Sequence, residues 1–305
     1  MSSFPIPESD RFLVLVNPRA SGGLPEALRR RLGGAFAAQG VPFDIVETAD
    51  AAAGLEVARK AAHAGYRTVA AVGGDGTVGQ ALKGTAGTGV PVAIVPFGTG
   101  NQLALNFDVP TSLEDSVRVA VEGRVEEVDL GRANGEYFAL IAGAGLDADV
   151  MAAATDELKN KLGFAAYLYS GLKQVITQPS ADYRIVADGQ ELKVRASMVL
   201  LANVGQLAAG PLPVEVTVAP RVSFRDGLID VCIYAPRNLP EVARMVWRVA
   251  RRQFAGDDRM IFLQAREVRI ESDPPVAVQI DGEPRGVTPI DAEMEPLVGR
   301  ILVPR

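Results

Sequence analysis

The sequence is almost without histidine and cysteine, with one of each in 305 residues. Cys232 has no partner for an internal disulfide, and its apolar surroundings in residues 229–234 predict a buried strand thiol rather than a nucleophile. His63 stands alone in an alanine-rich, helix-like stretch. A histidine metal cluster or a Ser-His-Asp triad is therefore nearly excluded.

An excess of positive charge and long apolar runs are also missing. The net charge is -6, so no overall basic field attracts nucleic acid. Residues 1–10 have neither the basic nor the apolar segment of a signal peptide, and no uninterrupted apolar stretch reaches the roughly 18 residues of a transmembrane helix. We therefore predict a cytoplasmic protein whose only contact with a membrane would be peripheral.

What the chain does have is enough apolar sequence for about two domains, with 48% apolar and 22% charged residues. Residues 1–130 alternate short apolar runs with helical patterns, which is typical of βα units around a parallel sheet. The predicted strands are residues 11–17, 43–47, 68–72 and 90–95. The predicted helices are residues 25–39, 54–64, 112–121 and one that includes 78–83.

Residues 131–305 show a different pattern, with dense strands separated by turn residues such as Asp188-Gly189 and Asp226-Gly227. This pattern predicts a β-rich, sandwich-like or barrel-like second domain. The predicted strands are residues 137–142, 183–187, 193–201, 214–218, 228–234, 267–272 and 276–280. Two helices, residues 156–176 and 240–254, interrupt them, and a last strand, 300–303, fits either domain.

The strongest chemical signal is Gly73-Gly74-Asp75-Gly76-Thr77, which follows the strand at 68–72 and opens a helix. Glycines let the backbone turn sharply and approach an anion, and the helix N-terminus attracts it. A carboxylate in such a turn suits Mg²⁺ or a proton acceptor beside the phosphate. The alternative, a tight turn with Asp75 as helix cap, is less favoured at the end of a parallel strand.

Two further loops leave the same predicted sheet edge, because adjacent parallel strands end on one side. Residues 96–102 (PFGTGNQ) contain Thr99 and Asn101, which offer a hydroxyl and an amide to a nucleotide. An Asn-capped helix entry explains that motif equally well on its own. Residues 17–23 (NPRASGG) contain Arg19, which is able to pair with phosphate.

Two acidic motifs stand out in the second domain. Residues 223–228 (SFRDGL) contain Asp226, and Asp281-Gly282-Glu283 follows a strand. Carboxylates so placed are able to bind a metal or act as a general base. Each motif alone is more often a simple turn.

Taken together, these motifs resemble the diacylglycerol kinase catalytic family, which includes sphingosine and ceramide kinases. The resemblance covers nearly the whole chain, through NPRASG, Thr48, GGDGT, PFGTGN, residues 159–171, Ala219-Pro220, RDGLIDV and DGEP. GGDGT alone also occurs in NAD kinases. The later pairing of DGLID with DGEP favours the lipid kinases.

The resemblance implies a phosphofructokinase-like α/β domain followed by a β-rich domain, with ATP, Mg²⁺ and a lipid alcohol as ligands. It places Asp226 at a Mg²⁺, together with Ser223 and Leu228 through main-chain carbonyls. It makes Glu283, with Asp281 beside it, the acceptor of the substrate's hydroxyl proton, and Asp75 the organiser of phosphate-bound Mg²⁺. The implied ATP site comprises Asn17, Pro18, Arg19, Ala20, Ser21, Thr48, Gly73, Gly74, Asp75, Gly76, Thr77, Gly98, Thr99 and Asn101, with the helix onward to Gln80.

The chain departs from the family pattern where Gly79 replaces a usual Asn and Gln102 a usual Asp. Both changes remove polar groups near the nucleotide but leave Asp75, Thr99, Asn101, Asp226 and Glu283 in place, so an active enzyme is expected. A catalytically silent nucleotide- or lipid-binding protein is the alternative that the departures favour, and an NAD kinase, which shares GGDGT, is the other. The sequence does not indicate an oligomeric state or which lipid is used.

The helix at residues 240–254 places Arg244, Arg248, Arg251 and Arg252 among apolar residues that include Trp247. Its basic face suits an anionic membrane surface. The favoured alternative is a helix that covers the core while its arginines are solvated.

Overall fold

The structure is a computed structural model that describes residues 10–17, 26–48, 51–98, 100–145, 180–204, 206–208, 215–217, 219, 223–254 and 256–305. The chain divides into two compact units, one of residues 1–128 with 297–305 and one of residues 129–296. The boundary predicted from the sequence lies at residue 130. No helix within the described ranges is both long and apolar enough to cross a membrane.

The first unit is an α/β layer structure with a parallel sheet, which confirms the predicted fold class. Its strands lie in the order β2-β1-β3-β4, and the end of the final strand, β18, runs parallel beside β4. The elements are β1 (Phe12–Val16), α1 (Glu26–Ala38), β2 (Phe43–Glu47), α2 (Ala51–Ala64), β3 (Thr68–Gly73), α3 (Asp75–Thr85), β4 (Val92–Pro96), α4 (Gln102–Asn106) and α5 (Leu113–Glu122).

The parallel sheet forms where apolar strands are buried under helices. Every residue of β1, β3 and β4 is buried, as expected for central parallel strands covered by helices. On one face Phe36 of α1 packs near Phe12 of β1, with ring centroids 6.1 Å apart. The helices α2 and α3 pack closely at Gly84, which has no side chain. A Cβ on Gly84 would come within 2.7 Å of the Ala58 Cβ.

The second unit is the predicted antiparallel β-rich domain. One layer contains β18, β15, β8 and β9 in that order, and the other contains β14, β13, β10, β7, β16 and β17. The elements are β5 (Arg124–Ala133), β6 (Glu136–Phe138), β7 (Ile141–Ala144), β8 (Ala181–Ala187), β9 (Gln190–Ala196), β10 (Met198–Ala202), β11 (Gln206–Ala208), β12 (Glu215–Thr217), β13 (Ile229–Tyr234), α6 (Leu239–Ala250), β14 (Met260–Ala265), β15 (Glu267–Asp273), β16 (Ala277–Ile280), β17 (Glu283–Val287) and β18 (Ile290–Val303).

Strand β13 shows how the layers are held. Its residues Val231 and Ile233 join the core between the two layers, while Cys232 and Tyr234 face a second cluster that includes Met245 of α6. Cys232 is fully buried, as predicted, and burial raises the pKa of its thiol. The strand is therefore apolar on both faces except at Asp230.

Several elements differ from the sequence prediction. Strands β5, β11, β14 and β17 and helix α4 were not anticipated, and β18 is far longer than residues 300–303. The predicted strand 193–201 is two strands, β9 and β10, as is the predicted strand 137–142. Strand β17 is exposed along its whole length, so it has no apolar alternation to reveal it. The predicted helix 156–176 lies outside the described residues.

Candidate functional site

The four parallel strands of the first unit end at one edge, where the loops predicted to bind a nucleotide begin. Thr48 follows β2, and its N–H donates to the Val16 carbonyl at 2.9 Å. Asn17 follows β1, and its N–H donates to the Val72 carbonyl at 3.5 Å. Both residues are thus fixed to neighbouring strand ends. Thr48 is buried, whereas Asn17 is partly exposed.

The turns after β3 and β4 touch through glycine. A Cβ on Gly98 would lie 2.4 Å from the Gly74 Cα, which no real side chain tolerates. The Phe97 N–H also donates to the Gly73 carbonyl at 2.9 Å. Glycine is therefore required at Gly98 for the two turns to meet.

Asp75 begins α3 and reaches across to the second turn. The Leu103 N–H, at the start of α4, donates to Asp75 Oδ1 at 2.9 Å. Asp75 Oδ2 lies close to Gly100, since a Cβ there would come within 3.1 Å of it. The carboxylate therefore ties the two glycine turns together.

Asn101 shapes the second turn from within. Its Oδ1 accepts the Gly98 N–H at 3.0 Å, and its Nδ2 donates to the Gly98 carbonyl at 2.8 Å. Its φ is 47°, a left-handed conformation that Asn tolerates better than most residues. Its side chain is used to close the turn.

The first turn of α3 exposes its backbone at a glycine. The Thr77 N–H donates to the Gly74 carbonyl at 3.0 Å, and the Thr77 side chain fills the space beside Gly73, where a Cβ would meet it at 2.4 Å. Gly76 is exposed, with open space where a Cβ would stand. The N-terminus of this eleven-residue helix thus presents backbone without side-chain cover at Gly76.

Pro18, Arg19, Ala20, Ser21 and Thr99 lie outside the described residues. Of the two departures, Gly79 is buried within α3, and the Gln102 Nε2 donates to the Gly100 carbonyl at 3.5 Å.

In the second unit the acidic turn after residue 222 is closed by its own side chains. The Arg225 N–H donates to Ser223 Oγ at 3.2 Å, and the Leu228 N–H donates to Asp226 Oδ1 at 3.1 Å. Asp226 itself is exposed. The three predicted metal residues, Ser223, Asp226 and Leu228, therefore share one compact turn.

Two carboxylates that the sequence reasoning did not single out lie at this turn. Asp129 is fully buried; its Oδ2 accepts the Gly227 N–H at 2.8 Å, and its own N–H donates to the Phe224 carbonyl. Burial raises the pKa of Asp230 to about 6. A hydrogen bond donated by the Gln264 side chain opposes this shift, and the nearby negative charge of Asp226 adds to it. The second Asp of RDGLIDV was the available signal for Asp230.

The oxygen atoms of the turn at residues 223–228 satisfy only part of what a hard cation needs. Carboxylate and main-chain oxygens are what Mg²⁺ or Ca²⁺ prefers. In the part of the chain that the structure describes, however, no three His, Cys, Asp or Glu side chains come together as a metal-binding group. A cation here would need main-chain or ligand oxygens besides Asp226.

The Asp281-Gly282-Glu283 turn divides its two acids between different environments. The Asp281 carboxylate accepts three backbone N–H groups, from Ala139 at 3.0 Å, Leu140 at 2.9 Å and Ile141 at 3.2 Å. Asp281 and Gly282 both have positive φ, so they form the two-residue loop between β16 and β17. Glu283 is exposed at the start of β17. Asp281 is thus committed to holding a strand end, whereas Glu283 is accessible.

Comparison with known protein families gives two matches that together cover most of the chain. The model of the diacylglycerol kinase catalytic domain matches residues 11–133. The model described as the YegS C-terminal NAD kinase beta sandwich-like domain matches residues 141–303.

Individual relatives agree with these matches. A diacylglycerol kinase of Bacillus subtilis (strain 168) is 27% identical over 237 residues, which are 76% of each chain. A Synechocystis protein described as uncharacterized is 30% identical over 240 residues, 77% of this chain. The chain spans 54% of the length of that cyanobacterial relative.

Solved structures share the fold. A crystal structure from Bacillus anthracis str. Sterne superposes with a TM-score of 0.78 at 24% identity, covering 96% of this chain and 95% of the other. A second from the same organism, described as a diacylglycerol kinase, gives 0.72 at 22% identity, covering 96% and 97%.

Proposed function

Because the chain belongs to the diacylglycerol kinase catalytic family, we propose that it is a Mg²⁺-dependent, ATP-dependent lipid kinase that phosphorylates a lipid hydroxyl such as that of diacylglycerol. The observation that carries this proposal is the contact between the Gly74 and Gly98 turns beside the N-terminus of α3. Two turns that meet through glycine, next to a helix N-terminus, suit the close approach of phosphate oxygens. ATP is the phosphoryl donor that the kinase family implies.

We assign the nucleotide to the first unit. The phosphates would approach the backbone of Gly74, Gly76 and Gly98, with Thr48 and Asn17 at the neighbouring strand ends. Asp75 would keep the two glycine turns in register through its bond to the Leu103 N–H. Arg19 and Thr99 are further candidates for phosphate contacts.

We assign the acceptor chemistry to the second unit. The lipid hydroxyl oxygen bonds to the γ-phosphorus while the bond between that phosphorus and the bridging oxygen of ADP breaks. Glu283 takes the hydroxyl proton, because it is exposed whereas the Asp281 carboxylate is held by three backbone amides. Bound Mg²⁺ supplies neutralisation of phosphate charge, and Asp226 with main-chain oxygens of Ser223 and Leu228 would hold it.

The direct test incubates the purified full chain with γ-labelled ATP, Mg²⁺ and a total lipid extract, and then identifies the labelled lipid. A labelled phospholipid that disappears with EDTA and with the Glu283→Gln variant is the expected result. ATP binding without transfer to any lipid would instead favour a silent nucleotide- or lipid-binding protein.

A second candidate is an NAD kinase, favoured by the description of the family model that matches residues 141–303. The same assay with NAD in place of lipid separates the two. Formation of NADP in preference to a phospholipid would overturn the lipid kinase proposal.

A further inference from the structure

The segment around helix α6 carries positive charge that contrasts with the rest of the chain. Residues 237–259 contain six arginines and three acids, whereas the whole chain has a net charge of -6. The helix is well anchored: Asn238 caps its N-terminus by accepting the Glu241 N–H at 3.0 Å. Its surface is therefore a fixed feature of the second unit.

One face of α6 covers the sheet beneath it. Val242 and Met245 are buried, and Met245 shares a cluster with Cys232, Tyr234 and Met260. This is the packing expected of an ordinary amphipathic helix, so core formation accounts for that face.

The opposite face has no such explanation. Trp247 is 53% exposed, and Arg244 and Arg251 lie three residues before it and four after it, on the same side of the helix. The Arg251 guanidinium stands over the Trp247 ring, 5.1 Å from its centroid. Packing in the clusters of buried residues does not account for an exposed tryptophan between two exposed arginines.

Two of the three acids in residues 237–259 are engaged in ion pairs, and the third, Asp258, is exposed. Glu241 pairs with Arg259 at 3.2 Å, and Asp257 pairs with the largely buried Arg248 at 3.5 Å, while the exposed Arg244 is 4.0 Å from the same carboxylate. Arg251 has no carboxylate within 4 Å in the described parts of the chain. The outer face of the helix is thus left cationic.

We propose that this face, the Arg244–Trp247–Arg251 surface, docks the protein on an anionic lipid bilayer, with Trp247 at the level of the headgroups. Arginine supplies attraction to anionic lipid, and an indole ring prefers the boundary between apolar and wet regions. A nucleic acid fits less well, because the chain as a whole is acidic. The proposal deepens the proposed function, since phosphorylation of a lipid hydroxyl requires the protein to reach lipid at a bilayer surface.

Trp247 is the chain's one tryptophan, so its fluorescence reports on this surface alone. Vesicles of phosphatidylcholine with an equal part of phosphatidylglycerol should shift its emission to shorter wavelength, and brominated lipid should quench it. Pure phosphatidylcholine vesicles should do neither, and added salt should reverse the shift. An unshifted emission from vesicle-bound protein would overturn the proposal, as would an equal shift on neutral vesicles or on DNA.

Variants give the second test, by co-sedimentation with the same vesicles in the absence of nucleotide. Arg244→Gln/Arg251→Gln should weaken binding roughly 30-fold, at about a fivefold loss for each arginine near the surface. The control Arg118→Gln/Arg195→Gln removes equal charge from arginines that are 56% and 66% exposed elsewhere, and should bind like wild type. Equal effects of the two pairs would overturn the proposal.

Activity measurements distinguish a failure of the docking proposal from a failure of the kinase proposal. The α6 double variant should retain wild-type activity on diacylglycerol dispersed in detergent and lose it on anionic vesicles. If the protein phosphorylates no lipid but its vesicle binding still depends on Arg244 and Arg251, the docking surface stands and the kinase function fails. If the wild-type protein does not bind anionic vesicles at all, the docking surface is overturned.

Discussion

The two acids of the Asp281-Gly282-Glu283 turn should separate stability from catalysis. In Asp281→Asn the remaining oxygen is able to accept the Leu140 and Ile141 N–H groups, but the amide nitrogen then faces the Ala139 N–H. One bond to a charged acceptor is lost and two donors oppose each other, so we expect about 2–4 kcal/mol of destabilisation. Asn tolerates the left-handed backbone at this position, so the side chain alone is tested.

Glu283→Gln should behave in the opposite way. The residue is exposed, so its replacement should change the free energy of unfolding by no more than about 0.5 kcal/mol. As the proposed proton acceptor, its loss should lower turnover by about 10²–10⁴-fold. Urea denaturation and labelled-ATP turnover, corrected for the folded fraction, measure both quantities on each variant.

Asp188 provides a matched control for Asp281. It also occupies a left-handed position before a glycine, and its carboxylate accepts the Arg266 and Glu267 N–H groups at 3.0 Å. In Asp188→Asn the amide oxygen is able to keep both of these bonds, which share Oδ1, and only the 3.2 Å contact of the Arg266 N–H with Oδ2 is lost. The variant should therefore destabilise the fold less than Asp281→Asn does and leave turnover of the folded protein unchanged. If Asp281→Asn keeps wild-type stability but loses turnover, Asp281 is the base and our reasoning is wrong.

Three further predictions concern the glycine turns and the buried acid. Gly98→Ala should destabilise the fold by about 1–3 kcal/mol and abolish ATP-induced stabilisation in thermal melts, because the added Cβ would meet Gly74. The control Gly34→Ala, whose Cβ would have no atom within 4 Å, should be neutral or stabilising. Asp75→Asn should keep stability within about 1 kcal/mol, since the amide oxygen still accepts the Leu103 N–H. It should nevertheless abolish turnover, because a neutral amide would not hold the phosphate-bound Mg²⁺ that the family resemblance places at this carboxylate, and near wild-type activity would contradict the assignment of this loop. The pKa of Asp230 is raised to about 6 in the folded chain, whereas in the unfolded chain this carboxyl loses its proton near pH 4. Between these values the folded state binds more protons than the unfolded state. The free energy of unfolding, measured in EDTA, should therefore fall as pH rises from about 4 to about 6. Asp230→Asn should flatten that dependence and raise stability at pH 7 by about 1–2 kcal/mol, and an unchanged pH profile in urea titrations would refute this.

The sequence was sufficient for the central strands of the parallel unit because these strands are buried on both faces. Strands such as β1 and β3 are unbroken apolar runs between helical patterns, and their ends were predicted within one residue. Two other strands have no such signal: β17, an exposed edge strand of the second unit, and β5, which begins Arg124-Val125-Glu126-Glu127 at the end of the first unit. Their existence depends on neighbouring strands that are distant in the sequence.

The candidate site divides in the same way. Glycine-rich turns after parallel strands point to a phosphate site through local chemistry, which the sequence displays directly. The use of Asp281 depends on Ala139–Ile141, about 140 residues away, and that of Asp129 on Gly227, which is 98 residues away. A motif therefore indicates which residue types a site contains. The separate roles of its acids depend on hydrogen bonds between residues that are far apart in the sequence and meet only in the folded chain. In DGE this decides which acid is held by the backbone and which remains accessible to take a proton.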